Sequence, residues 1–392
     1  MKNIKKRLLG RYQRISLAIL ATSPLILEEV HAAPLALPSP LTFSAGPLGT
    51  LNVQGVASGY GIWQNNKFSS SSFPGSKSAS ADISNGMVMI SKNTGLVQFA
   101  VQAGAYNVMT LGSNFASTGT FTQNTFGALP TGYVEIAPSD HFNIQVGKLF
   151  TLIGAEYTFS YQNWNIERGL LWGQENAVNK GVQLNYTTGP ITAALSWNDG
   201  FYSNRYNWMS GMVSWAVNKE NSVFIQGGGN LGHTDYAYSS IATTPLQNNE
   251  AIVDVGYTYT GSNLVVTPYL QYTTVPASAI QALGAGNKTT STLGGAILAN
   301  YSITDQISLA GRVEYISNSG TATDGSANLT GFGPGSHAWS ITATPTYQNG
   351  GFFARAELSY VAASMAQDTG FAGSNGLAKN QIRGMVETGF MF

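Results

Sequence analysis

The sequence predicts an all-β protein, a transmembrane antiparallel β-barrel of about sixteen strands with short periplasmic turns and long extracellular loops. Three observations predict this fold: an export signal at the N-terminus, alternation of polar and apolar residues along the rest of the chain, and a regular succession of tight turns and long loops. The composition agrees, because only 10% of the 392 residues are charged and 45 are glycine. An average globular protein has about 25% charged residues.

Residues 1–32 have the pattern of a cleaved export signal. Six basic residues precede the apolar run 15–27, and a small-residue cleavage site ends at Ala32. The run is short and interrupted by Pro24, which favours cleavage over an uncleaved membrane anchor. Removing the signal leaves 13 basic and 17 acidic residues, a net charge of −4. We therefore expect no nucleic-acid partner.

The rest of the chain alternates in polarity and contains no run of 18 consecutive apolar residues, so it predicts no helical membrane span. In HAWSITATPTYQ (337–348), Trp339 and Ile341 share one face, and serine and threonine residues occupy the other. The segment EAIVDVGYTYTG (250–261) alternates in the same way. This is the period of a strand with one apolar and one polar face. A β-sandwich would also alternate, so the pattern alone leaves two fold classes open.

Turns and loops succeed one another regularly. Short turns are predicted at 92–95, 138–141, 188–190, 218–221, 260–263, 302–305 and 348–351. Long polar loops are predicted near 64–82, 106–131, 151–179, 199–208, 230–249, 274–291, 317–336 and 363–378. Together they join sixteen strands between residues 50 and 392, after a short Pro-rich lead at 33–49. Pro268 and Pro345 fall within predicted strands, and we interpret them as local bulges.

Aromatic residues favour the barrel over the sandwich. One group lies beside the short turns and comprises Tyr186, Tyr259, Tyr301 and Tyr347, and a second group lies near the long loops and comprises Trp197, Tyr272, Tyr315 and Tyr360. Two such girdles flank the apolar band of a membrane barrel, because aromatic rings favour the lipid–water interfaces.

The C-terminal segment 379–392 is predicted to be the last strand, which pairs with the first strand near 50–64 and closes the barrel. The alternating apolar residues end at Phe390 and Phe392. A terminal phenylalanine resembles the C-terminal signature of bacterial outer-membrane barrels. That resemblance implies location in the outer membrane, contact with its lipid, and recognition of these two residues by the barrel assembly machinery.

A closer resemblance lies in the middle of the chain. The segments VGKLFTLIGAEY (146–157), NWNIERGLLWG (163–173) and NKGVQLNYTTGPITAALSWNDGF (179–201) resemble the OmpL-like group of β-barrel porins. The resemblance implies an outer-membrane porin, a water-filled channel for passive diffusion of small hydrophilic solutes and ions. Two alternatives stay open at this point, a solute-selective channel and a non-conducting structural or adhesive barrel. Sixteen strands favour an aqueous lumen. The sequence leaves open whether the barrel is a monomer or a homotrimer.

The predicted inward face carries charged residues with same-face spacing. The candidate pore-wall residues are Glu135, Lys148, Asp254, Arg312, Glu314, Arg355, Glu357, Arg383 and Glu387. Each arginine has a carboxylate two or four residues away, so ion pairs that stiffen a wet wall are favoured over a transverse field that orients solutes. Lys148 faces lipid by simple parity, and its place in this set requires a bulge.

The third long loop, 151–179, is expected to fold into the lumen and narrow it. It combines several aromatic rings, which are unfavourable in water, with the predicted constriction residues Glu156, Glu167, Arg168 and Glu175. Three carboxylates against one guanidinium favour cations. The alternative is that the rings cap the barrel rim or meet a neighbouring subunit.

The sequence predicts no catalytic, metal or cofactor site. Only His141, His233 and His337 follow the signal, and none belongs to a recognisable motif with a nucleophile or carboxylate. No pair of ligands has helical i, i+4 spacing, and cysteine is absent.

Overall fold

A computed structural model of the chain describes residues 35–68, 76–235, 245–365, 371 and 378–392. The strands of this part are β1 (Leu41–Ser44), β2 (Thr50–Gln64), β3 (Ala79–Lys92), β4 (Val97–Tyr106), β5 (Thr131–Ser139), β6 (Phe142–Phe150), β7 (Val178–Thr188), β8 (Ile191–Asn198), β9 (Trp208–Ala216), β10 (Asn221–Asn230), β11 (Ala251–Thr260), β12 (Leu264–Val275), β13 (Thr290–Ser302), β14 (Ile307–Asn318), β15 (His337–Asn349), β16 (Phe352–Ala363) and β17 (Asn380–Met391). Strands β2 to β17 form one closed antiparallel sheet. The predicted sixteen-stranded barrel is thus confirmed. The predicted signal, 1–32, lies outside the described residues.

Helices contribute little to this architecture. The α-helices α1 (Thr118–Asn124) and α2 (Ala277–Ala282) lie in long loops, and short 3₁₀ turns occur at Gly46–Leu48, Ser160–Gln162, Leu171–Gln174 and Gln247–Asn249. Within the described ranges, no helix is both long enough and apolar enough to cross a membrane.

The barrel closes between its first and last strands. Strand β17 pairs with β2 from Arg383 opposite Gln64 to Met391 opposite Val56. Phe392 extends the pairing: its N–H donates to the Gly55 carbonyl at 3.0 Å, and the Gly55 N–H donates to the Phe392 carbonyl at 2.9 Å. Closure gives partners to backbone groups that an open edge would leave unpaired in lipid.

The two faces of the barrel differ as the alternation predicts. Apolar side chains such as Leu270 and Val386 are exposed on the outer face, together with the girdle residues Trp197 and Tyr301. The inner face carries mostly polar side chains, and these are buried, as Thr273 is. Because a porin-like barrel faces lipid outside and protein or water inside, the exposed apolar surface is the membrane-facing one.

The two mid-strand prolines interrupt hydrogen bonding without shifting the strands. The pairing of β11 with β12 keeps one register on both sides of Pro268, and the pairing of β15 with β16 does the same around Pro345. The bulges that we inferred from the sequence are therefore wrong. A missing N–H removes a ladder bond, but it does not require an extra residue.

The N-terminal lead contributes a strand that the sequence did not predict. Strand β1 pairs with β2 from Leu41 opposite Val53, on the edge of β2 that β17 leaves free. Preceding residues reach towards the turn after β15, where the Ala36 N–H donates to Gln348 Oε1 at 2.9 Å and Gln348 Nε2 donates to the Ala36 carbonyl at 2.6 Å. Leu35 is buried in a cluster with residues of the inner wall.

Candidate functional site in the barrel lumen

The long connection between β6 and β7, residues 151–177, contacts opposite walls of the barrel, and we call it the lumen loop. Ser160 accepts a hydrogen bond from Asn85 on β3, whereas the Gly154 N–H donates to Asp254 on β11. These strands lie eight positions apart in the sixteen-stranded ring. Residues 152–171 and 174–177 are all buried. The loop therefore spans the cross-section of the barrel.

Arg168 stabilises the conformation of the lumen loop by binding backbone carbonyls of the same loop. Its guanidinium donates to the backbone carbonyls of Thr158 at 3.2 Å, Asn165 at 3.0 Å and Ile166 at 2.5 Å. Burial lowers the pKa of Arg168 to about 10, so the guanidinium is still charged at neutral pH. Arg168 does not project across open space; it binds carbonyls that the loop would otherwise leave unpaired.

Glu156 connects the lumen loop to β14 through Arg312. Arg312 Nη1 lies 2.5 Å from Glu156 Oε1, and the other oxygen of Glu156 accepts the Gly169 N–H at 2.7 Å. Arg312 Nη1 also donates to the Glu167 carbonyl at 2.8 Å, and Arg312 Nε lies 3.2 Å from Glu314. Burial raises the pKa of Glu156, and the Arg312 charge opposes that rise.

Glu167 makes the second ion pair between the lumen loop and the wall. Arg383 Nη1 on β17 lies 2.6 Å from Glu167 Oε1, and the Ser359 hydroxyl donates to Glu167 Oε2 at 3.3 Å. Arg383 also donates to the carbonyl of Ser113 at 2.7 Å. Since Ser113 lies in the loop between β4 and β5, one guanidinium connects two loops to the last strand.

Wall carboxylates also bind the backbone of the lumen loop. Glu357 accepts the N–H groups of Ile166 at 2.5 Å and Glu167 at 3.0 Å, and Glu314 accepts those of Leu170 at 3.0 Å and Leu171 at 3.3 Å. These are charge-assisted hydrogen bonds to backbone donors, which are stronger than neutral ones. They hold the middle of the loop against β14 and β16.

The predicted wall residues Arg355 and Glu387 pair with each other. Arg355 Nη2 lies 2.5 Å from Glu387 Oε2, and Arg355 Nη1 donates to the Asn163 carbonyl at 2.8 Å. Glu387 in turn accepts the Ser160 hydroxyl at 2.8 Å. This pair therefore also binds the lumen loop from β16 and β17.

On the β10–β12 side the lumen loop presents a carboxylate to another carboxylate. Glu175 accepts a hydrogen bond from Gln271 Nε2 at 2.9 Å, and Asp254 accepts the Gly154 N–H at 3.0 Å. Burial raises the pKa of Glu175 well above its ordinary value, and the Asp254 charge adds to the rise. Both side chains are buried.

Two predicted wall residues lie elsewhere. Glu135 faces inward on β5 and accepts a hydrogen bond from Gln145 Nε2 at 2.9 Å. Lys148 lies on the outer face, on the same side of the sheet as the exposed Val146, and its amine donates to the Leu129 carbonyl at 2.7 Å. The pairing of β6 with β7 is continuous through Lys148. The predicted bulge is absent there, and the prediction that Lys148 lines the pore is wrong.

Several residues of this site were missed by reasoning from the sequence. Gln226 and Gln271 flank Asp254 on the neighbouring strands, directly opposite it in the ladder. Strand register would have found them, because residues paired across a ladder share a face. Asn163, whose amide donates to the carbonyls of Tyr157 and Phe159 at 2.8 Å, could not have been found that way because it lies in irregular structure.

Four glutamine side chains are among the residues of the remaining inward-facing wall of β2–β8. Gln54, Gln98, Gln145 and Gln183 are each less than a tenth exposed. Apolar side chains such as Met87 and Met89 are buried there as well, so the interior has little accessible surface. Any aqueous path through this conformation is narrow.

Comparison with known proteins identifies the family. A profile of the family described as "Putative beta-barrel porin-2, OmpL-like" matches residues 50–392. The chain belongs to this family. The porin is accordingly a channel of the bacterial outer membrane, as the resemblance implied. No curated protein matches it in sequence.

Solved outer-membrane structures share the fold of this porin. The channel DcaP of Acinetobacter baumannii is 10% identical with a TM-score of 0.57, over 90% of this chain and 100% of that one. The anion-selective porin from Comamonas acidovorans is 10% identical with a TM-score of 0.54, over 87% and 99%. In-vitro folded OmpT of Vibrio cholerae is 11% identical with a TM-score of 0.56, over 88% and 98%. At these identities the similarity establishes the barrel fold alone.

Proposed function

We propose that this porin is a narrow passive channel for small hydrophilic solutes and ions, and that the lumen loop forms its constriction. The observation that carries the proposal is the attachment of the loop to opposite walls, at Asn85 on β3 and Asp254 on β11. A segment anchored in this way must reduce the cross-section that a sixteen-stranded barrel would otherwise leave open.

The charges around the lumen loop support a preference for cations. The set consists of seven carboxylates, Glu156, Glu167, Glu175, Asp254, Glu314, Glu357 and Glu387, and four guanidinium groups, Arg168, Arg312, Arg355 and Arg383. Carboxyl groups thus outnumber guanidinium groups around the lumen loop. A ring of excess negative charge favours cations.

We assign the porin no catalytic role and expect transport without a cofactor. His141 lies in the turn between β5 and β6, with its Nδ1 3.0 Å from the Thr187 carbonyl, and His337 stacks on Tyr315 at a centroid distance of 6.0 Å. Whether the porin assembles as a monomer or a homotrimer is a separate question, which cross-linking in native membranes answers.

Single-channel recording in planar bilayers tests the proposal. We expect stepwise conductance from the parent protein and a larger conductance after deletion of residues 158–174, because the deletion removes most of the segment that crosses the lumen. Replacing Glu156, Glu167 and Glu175 with glutamine should lower the cation preference. Asp324→Asn, which changes an exposed outer-loop residue, is the control and should leave both quantities unchanged.

Heat-modifiable mobility must first show that each variant is a folded barrel. Folded variants that conduct with the parent's amplitude and selectivity would contradict the constriction. A folded parent that never conducts would favour a structural barrel, and release of product from ester or lipid substrates would favour an enzyme.

A further inference from the structure

The carboxylates of the lumen loop are neutralised on one side of the barrel and not on the other. Glu156 and Glu167 each form an ion pair with an arginine of β14 or β17. Glu175 instead faces Asp254 on β11, and within the described part of the chain neither of these two carboxylates forms an ion pair. An added positive charge would stabilise these two carboxylates, and the described residues supply none there.

Gly154 brings the two carboxylates together. Its N–H donates to Asp254 Oδ2 at 3.0 Å, and a Cβ atom added at this glycine would lie 1.7 Å from Glu175 Oε2. Both carboxylates therefore contact the same backbone residue. Because each is almost completely buried, the two groups would repel each other if both were ionised.

Two glutamine side chains complete the group. Gln226 and Gln271 lie directly opposite Asp254 in the ladders of β10 with β11 and β11 with β12, so the three side chains form one inward-facing row. Their amide nitrogens are engaged: Gln226 Nε2 donates to the Gly154 carbonyl at 2.8 Å, and Gln271 Nε2 donates to Glu175 Oε1 at 2.9 Å. This leaves the two amide oxygens available as acceptors.

Four buried oxygen atoms of this group have no donor among the described residues. They are Glu175 Oε2, Asp254 Oδ1, Gln226 Oε1 and Gln271 Oε1. Buried acceptors without a donor are costly, and an unpaired buried carboxylate is more costly still. Two carboxylate oxygens and two amide oxygens make a donor set of hard oxygen ligands.

We propose that Glu175, Asp254, Gln226 and Gln271 bind a calcium ion that joins the lumen loop to strands β10–β12. Calcium takes six to eight oxygen ligands from carboxylates, amides and water in flexible geometry, and its charge balances two carboxylates. Magnesium fits less well, since it requires near-ideal octahedral geometry and gives up its water reluctantly.

The bound ion would hold the lumen loop on the side of the barrel that lacks arginine anchors. Its effect on conduction rests on the proposed function: removing calcium should loosen the loop at Glu175 and increase the conductance or its fluctuations. Binding itself does not depend on conduction. The two proposals can therefore fail separately.

Calcium binding to the folded full-length porin tests the inference. After treatment with a chelator in detergent, titration with calcium chloride at neutral pH should show one site per chain. Asp254→Asn and Glu175→Gln should each weaken binding about tenfold or more, because each removes one ligand charge. The control Asp324→Asn removes an exposed carboxylate that pairs with Lys288, and it should bind calcium as the parent does.

A second measurement covers variants that fold poorly. Gln226→Met and Gln271→Met remove the amide oxygens while keeping the charges and the side-chain length, and each should reduce the rise in melting temperature that calcium causes. Sodium chloride of equal ionic strength should not reproduce that rise in the parent. The inference is wrong if the parent binds no calcium, if Asp254→Asn binds it unchanged, or if stability responds to pH alone, which would mean that the two carboxylates share a proton.

Discussion

Arg312 and Glu156 form an ion pair between β14 and the lumen loop, with Arg312 Nη1 2.5 Å from Glu156 Oε1. The two residues are 156 positions apart in the sequence, and their exposed fractions are 1% and 3%. Arg312 also donates to the Glu167 carbonyl, so a single guanidinium binds the loop at two points. The same guanidinium therefore holds the lumen loop against the barrel wall.

Replacing one partner of this ion pair should lower the free energy of unfolding more than replacing both partners. We expect Arg312→Gln to lower the free energy of unfolding by about 3–5 kcal/mol, because Glu156 would remain as a buried charge without its partner. The double variant Arg312→Gln with Glu156→Gln should lose less than the sum of the single losses. Urea unfolding of the folded porin gives all three values, and strict additivity would show that the two side chains do not interact.

Gly154 should not tolerate a side chain. Its φ is +92°, and a Cβ there would lie 1.7 Å from Glu175 Oε2. Gly154→Ala should therefore lose about 1–2 kcal/mol from the left-handed backbone conformation and a further 1–3 kcal/mol from overpacking. Gly127→Ala is the matched control, since Gly127 has φ +76° and nothing within 4 Å of an added Cβ. Equal losses in urea unfolding would contradict the close contact with Glu175.

Stability should depend on pH through Glu175. Burial raises its pKa well above the ordinary value of 4.5, and the charges of Asp254, Glu156 and Glu314 add to the rise. The folded protein then keeps a proton that the unfolded chain has lost. The free energy of unfolding in calcium-free buffer should accordingly fall as the pH rises from 4.5 towards the raised pKa, and level off above it.

Glu175→Gln isolates that contribution. The variant should flatten the pH dependence by up to about 1.4 kcal/mol for each pH unit in this window. Burial also raises the pKa of Glu250, so the flattening should be partial. Chemical unfolding between pH 4 and 8 measures it, and an unchanged slope in the variant would show that Glu175 does not titrate as predicted.

The last residue packs against the first barrel strand. A Cβ added at Gly55 would lie 2.3 Å from the Phe392 ring, so Gly55→Ala should displace the ring. The sequence predicts that Phe392 takes part in closing the barrel and in recognition by the assembly machinery. The Gly55→Ala variant should therefore reduce the fraction of heat-modifiable porin in outer membranes. Gly59→Ala, on the same face of β2 with its nearest contact at 3.5 Å, should assemble as the parent does.

The outer face of the barrel could be read from the sequence because its cause is local. Lipid requires apolar side chains at every second residue, and tight turns require glycine, asparagine or proline at fixed places. The limits of the last strand, predicted at 379–392 and observed at Asn380–Met391, follow from such signals. The register of the closing pair does not, since it depends on residues more than 300 positions apart.

The predictions from the sequence were wrong where we departed from the strict alternation of inward and outward residues, or where the chain is irregular. Simple alternation places Lys148 outside, as the structure does, and the bulge that we added to bring it inward was wrong. We predicted bulges at Pro268 and Pro345 because proline lacks the backbone N–H donor. The residue pairs on either side of each proline nevertheless keep the same register. The sequence did not predict the burial of Leu35, because Leu35 lies in irregular chain, where side chains follow no periodic pattern.

The sequence by itself determined the class of fold, the number of strands, the side of the sheet that meets lipid, and which charged residues are candidates for the lumen. Only the tertiary structure decided the partners of those charges, namely Arg312 with Glu156, Arg383 with Glu167, and Glu175 beside Asp254. The physical reason is the range of the interactions. Alternation and turn preference act between neighbours in sequence, whereas an ion pair or a shared ligand site depends on distances in space that barrel closure and the path of the lumen loop create.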